Sequence, residues 1–184
     1  ADDMGLGKTL QTLVWLKWLK TSRRKNAKIK PTLVVCPASV LHNWRRESER
    51  FTPSMKVLVL ESGQARHNLR KRVPDHDIVV TNYSILRRDL DELTKFAFRA
   101  VVLDEAQFIK NPGAQVTKSV KELKADHKLA LTGTPIENRM LDLWSIVDFV
   151  QPNYLGNQDH FSQVYDLRGA EKDESTARIG RRKL

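Results

Sequence analysis

The chain has 184 residues, of which 40% are hydrophobic and 29% are charged, a balance that is ordinary for a globular domain with one sizeable core. It has no apolar run long enough to span a bilayer, so we expect no membrane contact, and its single cysteine excludes an internal disulfide framework. The net charge of +10 favours anionic partners, among which nucleic acid is the commonest.

Short β-branched runs alternate with longer helical patterns along the first 150 residues. The predicted strands are five short, mostly apolar runs at residues 32–36, 57–60, 77–80, 100–103 and 128–131. The predicted helices that follow them cover residues 39–51, 82–93, 114–123 and 139–150, with a further short helix within 153–167. Strands that alternate with helices predict a mostly parallel sheet with helices on both faces.

A glycine-rich segment opens the chain and leads into the first helix. Its glycines let backbone N–H groups approach phosphate, Lys8 supplies a positive charge, and the Thr9 hydroxyl is a suitable Mg²⁺ ligand. The predicted nucleotide-binding residues are Asp3, Met4, Gly5, Leu6, Gly7, Lys8 and Thr9. The strict phosphate-loop pattern fails because Asp2 occupies its first glycine position, so a basic helix cap is the alternative. The residues predicted for the buried face of the following helix are Leu10, Leu13, Val14 and Trp18.

A pair of acids follows the fourth predicted strand. Asp104 and Glu105 come directly after the apolar run 100–103, and the carboxyl ends of parallel strands are where α/β sheets bind ligands. We expect Asp104 to bind Mg²⁺ and Glu105 to orient and deprotonate the attacking water. The alternative, a solvated helix cap, loses support because the phosphate-binding segment supplies the other half of one magnesium–nucleotide site.

Three motifs in order resemble those of the Swi/Snf-type ATPases of helicase superfamily 2. They are residues 3–9 (DMGLGKT), 104–107 (DEAQ) and 131–138 (LTGTPIEN), with further matches at 34–38, 43–44, 80–83 and 108–112. The resemblance covers roughly residues 1–165, and the missing first glycine is normal for that family.

The resemblance implies a RecA-like P-loop lobe of the α/β class that lacks its first strand. This ATP-binding lobe is predicted at residues 1–151, and residues 152–184 are predicted to lead toward a second RecA-like lobe of the same polypeptide. The implied ligands are ATP and Mg²⁺. The implied catalytic residues are Glu105, Lys8 and Gln107, and Thr132, Gly133 and Thr134 are implied to couple nucleotide state to movement.

The same resemblance implies ATP-driven translocation along double-stranded DNA and remodelling of protein–DNA complexes. The expected partners are duplex DNA and DNA-bound proteins such as RNA polymerase or nucleoid and chromatin proteins. The family's arginine fingers lie in the second lobe, so we expect the chain alone to be inactive. The pattern is closer to bacterial members, which would place the protein in the cytoplasm with the nucleoid, whereas a eukaryotic member would be nuclear.

Two loops of the resembled family hold the nucleic-acid backbone. The matching residues here are Ser39, Thr81, Asn82 and Tyr83, although Ser39 also fits a helix N-cap. Two basic groups, 23–30 and 87–88, fit either a DNA contact or a solvated surface.

For the cysteine, the tryptophans, the histidines and one acidic group, the sequence favours a role in the fold over a role in function. We predict that Cys36 is a buried thiol, that the four tryptophans pack in helices or the core, and that Asp89 lies on a solvated helix face with its acidic neighbours. The histidines show no metal-ligand spacing. Two functional alternatives remain: another superfamily 2 helicase or restriction-enzyme motor, and a non-catalytic lobe that binds nucleic acid.

Overall fold

A computed structural model describes residues 7–22, 30–63, 66–133 and 140–165. The strands are β1 (Thr32–Cys36), β2 (Val57–Leu60), β3 (Ile78–Asn82), β4 (Phe98–Leu103) and β5 (Ala125–Ala130). The α-helices are α1 (Lys8–Thr21), α2 (Leu41–Phe51), α3 (Arg66–Lys71), α4 (Tyr83–Arg88), α5 (Leu90–Leu93), α6 (Gln115–Glu122), α7 (Met140–Val150) and α8 (Gln158–Tyr165). Short 3-10 helices cover Ala38–Val40, Val73–Asp75 and Ala106–Ile109.

The strands of the described residues form one parallel sheet in the order β2-β3-β1-β4-β5. The central strand β1 pairs with β3 and β4, and Val35 lies opposite both Thr81 and Leu103. The carboxyl ends of these three strands are therefore level with one another, so the residues that follow them meet at one edge. This arrangement confirms the predicted parallel α/β sheet.

Helices cover both faces of the sheet because successive strand residues point to opposite sides. On one face, Leu33 and Val35 pack with side chains from α4 to α7, including Phe149. On the other face, Val34 and Cys36 pack with side chains from α1 and α2. The two-sided burial predicted from the apolar strands is confirmed for β1, β3 and β4. It is wrong for β5, an edge strand in which no residue is fully buried, and holds at only alternate positions of the other edge strand, β2.

The buried face predicted for α1 is wrong at three of its four positions. Leu13 is fully buried, as predicted, but Leu10, Val14 and Trp18 are 38%, 60% and 59% exposed. The buried residues of this helix are Thr12, Leu13, Leu16 and Leu19. Apolar residues lie around most of the helix circumference, so periodicity alone does not identify the side that meets the sheet. Trp15 does pack, edge-on against His127 with ring centroids 5.9 Å apart.

The single helix predicted over residues 82–93 is broken into α4 and α5 at Asp89. The Asp89 side chain is buried, and its Oδ1 lies 3.1 Å from the Arg70 guanidinium of α3. The prediction of a solvated acidic face is therefore wrong for Asp89, although Asp91 is exposed. The helix α3 itself was not predicted, whereas α8 confirms the predicted short helix near the carboxyl end. Among the helices of the described residues, none has the length and apolar character to cross a membrane.

Candidate nucleotide and metal site

Two backbone hydrogen bonds hold the segment from Asp104 to Ala106 at the carboxyl end of β4. The Asp104 amide donates to the Val35 carbonyl at the end of β1 at 2.8 Å. Two residues later, the Ala106 amide donates to the Leu131 carbonyl beyond β5 at 2.8 Å. The backbone between these points has little freedom, so both acids of the predicted pair occupy fixed positions at the sheet edge.

The Asp104 carboxylate accepts two hydrogen bonds. The indole Nε1 of Trp44 in α2 donates to its Oδ2 at 2.8 Å, and the Glu105 amide donates to its Oδ1 at 3.0 Å. Trp44 is 1% exposed, which confirms its prediction as a core residue. Its role as a donor to the acid was missed, because a tryptophan on an apolar helix face looks the same in sequence whether or not its N–H finds a carboxylate.

The pKa of Asp104 lies above its ordinary value because the carboxyl is buried. The hydrogen bond from Trp44 lowers the pKa, the neighbouring charge of Glu105 raises it, and the charge of Lys8 lowers it. The first turn of α1 therefore acts electrostatically on the acid at the end of β4. Gly7 precedes this turn in a left-handed conformation (φ 69°, ψ 30°) that a side chain would strain.

Glu105, Gln107 and Thr132 form a continuous line of hydrogen bonds. The Gln107 amide nitrogen donates to Glu105 Oε2 at 2.9 Å, and the Thr132 hydroxyl donates to Gln107 Oε1 at 3.1 Å. Glu105 adopts a left-handed backbone conformation (φ 52°, ψ 57°), which is uncommon for a residue with a side chain and clusters at functional sites. The structure thus connects the predicted base to one of the predicted coupling residues through the glutamine of the DEAQ motif.

The oxygen ligands at this edge suit Mg²⁺. Among the described residues, no group of three or more His, Cys, Asp and Glu side chains could hold a metal ion. Mg²⁺ does not need such a cage, because it is commonly bound by one or two carboxylates together with water and substrate phosphates. The Asp104 carboxylate and the half-buried Thr9 hydroxyl at the start of α1 are hard oxygen donors of this kind.

The predicted phosphate-binding segment is only partly described. Gly7, Lys8 and Thr9 lie in or beside the first turn of α1, and Gly133 follows Thr132 in a bend. The predicted residues outside the described ranges are Asp3, Met4, Gly5, Leu6 and Thr134.

The structure revises the predicted nucleic-acid residues. Ser39 is exposed within a 3-10 helix and does not cap α2, whose N-cap position is Val40. Thr81 is fully buried and its hydroxyl donates to the Leu60 carbonyl at 3.0 Å, so this hydroxyl does not face a ligand. Asn82 caps α4 by accepting from the Ile85 amide. Ser39 and Asn82 therefore remain the candidates for a backbone contact.

Tyr83 also points inward. It is 6% exposed, its hydroxyl donates to the Asp104 carbonyl at 2.8 Å, and its ring stacks on Phe108 with centroids 4.8 Å apart. Burial raises the pKa of the phenol, and the charge of Asp104 raises it further. The hydroxyl therefore remains a protonated donor and serves the acid rather than an external phosphate.

For the two basic groups, 23–30 and 87–88, the sequence left open whether they contact DNA or only solvent. Arg87 and Arg88 are exposed at the end of α4. Lys30 instead forms an ion pair with Asp126 at 2.6 Å, while residues 23–29 lie outside the described part of the chain.

Cys36 is a buried structural thiol, as predicted. It is fully buried at the end of β1, and its Sγ lies 3.6 Å from the Thr81 carbonyl. Burial, with a smaller contribution from the charge of Asp104, raises the pKa of the thiol to about 12. It therefore has almost no thiolate character at neutral pH.

An α/β lobe of this kind, with an acid pair at the carboxyl edge of its sheet and a Gly-Lys-Thr helix start nearby, defines the P-loop class of nucleotide-dependent enzymes. Within that class, the SNF2-related domain family matches residues 1–181, and the chain belongs to this family.

Similar proteins come from distant organisms. TATA-binding protein-associated factor MOT1 of Saccharomyces cerevisiae is 41% identical over 173 residues, which cover 89% of this chain and 9% of MOT1. The putative ATP-dependent helicase/translocase YwqA of Bacillus subtilis is 40% identical over 183 residues, which cover 98% of this chain and 19% of YwqA. The chain thus spans less than a fifth of the length of either relative.

A solved structure has the same fold. The Sulfolobus solfataricus SWI2/SNF2 ATPase core in complex with dsDNA is 41% identical, with a TM-score of 0.82 over 97% of this chain and 36% of that core. The structural match confirms the predicted RecA-like lobe of a Swi/Snf-type ATPase.

Proposed function

We propose that this lobe serves a motor that hydrolyses ATP to translocate on double-stranded DNA and to remodel protein–DNA complexes. The observation that carries the proposal is the line of hydrogen bonds from Glu105 through Gln107 to Thr132. Through this line, the proposed base Glu105 is connected to Thr132, which lies beyond β5, so its orientation can respond to movement of the segment that carries Thr132. Such a connection is what a motor requires and a simple binding lobe does not.

The proposed chemistry assigns one task to each residue. Lys8 neutralises charge on the β- and γ-phosphates, and Glu105 orients the attacking water and accepts its proton. Gln107 lies between Glu105 and Thr132 and holds the base in its orientation. Asp104 and Thr9 would hold Mg²⁺, which neutralises charge that develops on the phosphates when it is bound.

Duplex DNA is the proposed track. The net charge of +10 favours a polyanion, and the similar Sulfolobus solfataricus core was solved in complex with dsDNA. Ser39 lies just after β1, and Asn82 is the last residue of β3. At this edge their polar atoms and backbone amides can contact phosphates without reading sequence.

If duplex DNA is the track, the proteins that the motor displaces are DNA-bound, and the motor lies in the compartment that holds the chromosome. MOT1 is named as a TATA-binding protein-associated factor, so we propose a DNA-bound protein such as a transcription or chromatin component as the target. We place the protein with the chromosome, in the nucleoid of a bacterium or in the nucleus of a eukaryote. We propose that a second RecA-like lobe of the same polypeptide completes the active site.

The test measures ATP hydrolysis by the full-length protein with and without duplex DNA, together with displacement of a third strand from a triplex. We expect duplex DNA to stimulate turnover and the third strand to be displaced only with ATP. Glu105→Gln should retain ATP binding and lose about 10²-fold or more in turnover, because it removes a positioned base. Glu122→Gln, at an exposed position of α6, is the matched control.

The other outcomes separate the alternatives. Stimulation by RNA alone would indicate an RNA helicase, and duplex unwinding would indicate a strand-separating member of superfamily 2. DNA binding without turnover in the wild type would indicate a non-catalytic lobe and would refute the proposal.

A further inference from the structure

We propose that Trp44 and Tyr83 form an aromatic clamp that positions Asp104 for Mg²⁺. The inference rests on the proposed function, because it assigns these two side chains a task in the metal–nucleotide site. Both are positioning residues rather than catalytic residues, since each acts through Asp104.

Trp44 contacts the side chain of Asp104 from one face of the sheet. Its ring is packed within the cluster that includes Leu13, Leu41 and Val34, and its single polar atom donates to Asp104 Oδ2 at 2.8 Å. A buried indole N–H needs an acceptor, and a carboxylate makes a stronger one than a neutral carbonyl. The hydrophobic packing thus fixes the donor, and the donor fixes the carboxylate.

Tyr83 contacts the backbone of Asp104 from the opposite face. It belongs to the other hydrophobic cluster, and its hydroxyl donates to the Asp104 carbonyl at 2.8 Å. The ring stacks on Phe108 at an interplanar angle of 7°, which holds the hydroxyl in place. The two aromatic residues therefore fix different groups of the same acid from the two sides of the sheet.

The clamp leaves acceptor positions on Asp104 for a metal ion. Each Asp104 oxygen accepts one hydrogen bond from the protein, from Trp44 and from the Glu105 amide. A carboxylate offers about four acceptor positions, so each oxygen retains one. The existing hydrogen bonds restrict rotation of the carboxylate, and a ligand held in one orientation binds metal more tightly than one that must be ordered on binding.

The test replaces Trp44 with Phe in the full-length protein and measures binding of a fluorescent ADP analogue as Mg²⁺ is titrated. This change keeps an aromatic ring and removes the donor. We expect the Mg²⁺ concentration at half-saturation to rise by about 10-fold or more, since loss of a partner that orients a metal ligand costs roughly 10–100-fold in metal affinity. The affinity for the analogue in the absence of Mg²⁺ should change less than about 3-fold, because Lys8 and backbone amides then bind its phosphates.

Trp144→Phe is the matched control. Trp144 is also buried, and its Nε1 donates to the Gly156 carbonyl at 3.1 Å, on the connection between α7 and α8. The control removes the same kind of donor without touching Asp104, so we expect an unchanged Mg²⁺ requirement. Thermal melting of both variants separates loss of folding from loss of positioning.

Tyr83→Phe provides an independent variant in case Trp44→Phe does not fold. It removes only the hydroxyl that holds the Asp104 carbonyl and should also raise the Mg²⁺ requirement several-fold. An unchanged Mg²⁺ requirement in the folded clamp variants, or an equal rise in Trp144→Phe, would overturn the clamp while leaving the proposed function intact. A wild-type protein that binds the analogue with no dependence on Mg²⁺ would also overturn the clamp, whereas loss of the proposed function would show separately as absence of DNA-stimulated ATP hydrolysis.

Discussion

At the scale of single residues, the orientation of Glu105 depends on atoms that belong to other motifs. Its carboxylate accepts from Gln107, whose own oxygen accepts from Thr132. Because Gln107 presents an amide, it can donate to one neighbour and accept from the other at the same time. An aspartate at this position could only accept, so the glutamine is what makes the connection continuous.

Thr132→Val tests this connection. The valine keeps the shape of the buried side chain but removes the donor to Gln107 Oε1. We expect DNA-stimulated turnover of the full-length protein to fall about 5-fold, because a neutral hydrogen bond contributes about 1 kcal/mol, while ATP affinity stays unchanged. Steady-state kinetics provides the measurement. Thr94→Val, whose hydroxyl donates to the Asp91 carbonyl on an exposed turn, is the control and should be neutral.

Cys36 gives a prediction that depends on pH. Burial raises the pKa of this thiol from its ordinary value near 9 to about 12 in the folded state, so the unfolded chain loses the proton first. The free energy of unfolding should therefore be independent of this thiol below about pH 9 and decrease as the pH rises from there toward 12. Denaturant titrations of the wild type and Cys36→Ala should show a pH-dependent difference only in that window. A thiol reagent that modifies the native protein rapidly at neutral pH would contradict the burial.

At the scale of elements, α1 presents two apolar stripes and buries one of them. Leu13 is fully buried against the sheet, whereas the adjacent Val14 is 60% exposed. We expect Leu13→Ala to reduce the free energy of unfolding by about 2–5 kcal/mol, because it leaves a cavity in the core. Val14→Ala should change it by less than about 0.5 kcal/mol, as is usual for surface positions. Denaturant unfolding of both variants measures the difference, and equal effects would place α1 in a different rotation on the sheet.

The elements that could be predicted are those whose local pattern leaves one choice. β1 carries four consecutive apolar residues after Thr32, and its limits of residues 32 and 36 were predicted correctly because only a strand buried on both faces fits so short a run. The rotation of α1 and the break at Asp89 could not be predicted in this way. Each depends on a contact across the fold, with the sheet in one case and with Arg70 in the other.

In the candidate site, too, the features set by local sequence could be predicted and those set by contacts across the fold could not. Asp104 and Glu105 were predictable because an acid pair after an apolar strand has few structural alternatives. The roles of Trp44 and Tyr83 were not, because each donates to a residue 60 or 21 positions away and the direction of a buried N–H or O–H is decided only by packing. The inward direction of the Thr81 hydroxyl could not be predicted for the same reason, since it donates to β2 inside the sheet.

At the scale of the whole molecule, the chain corresponds to 36% of the solved SWI2/SNF2 core that it resembles. We predict that residues 1–184 alone hydrolyse ATP only at a trace rate, with or without DNA. The family resemblance places the arginine fingers in the second lobe, and such a residue contributes roughly 10³–10⁵ in rate. A phosphate-release assay beside the full-length protein tests this, with Lys8→Ala as the background. Turnover of the isolated chain comparable to that of the full-length protein would refute it.

The central position of β1 also affects how the protein can be made. β1 is completed at Cys36, but its two neighbours in the sheet end only at Asn82 and Leu103. At a synthesis rate of about 5–20 residues per second, the ribosome needs roughly 4–14 seconds after beginning β1 to finish β4. Until β3 is complete, this central strand, which is buried at every position of the folded sheet, has neither partner, and until β4 is complete it still lacks one of them. Parallel pairing over such separations is slow. The nascent chain should therefore depend on chaperones at this stage, before any DNA or nucleotide can stabilise it.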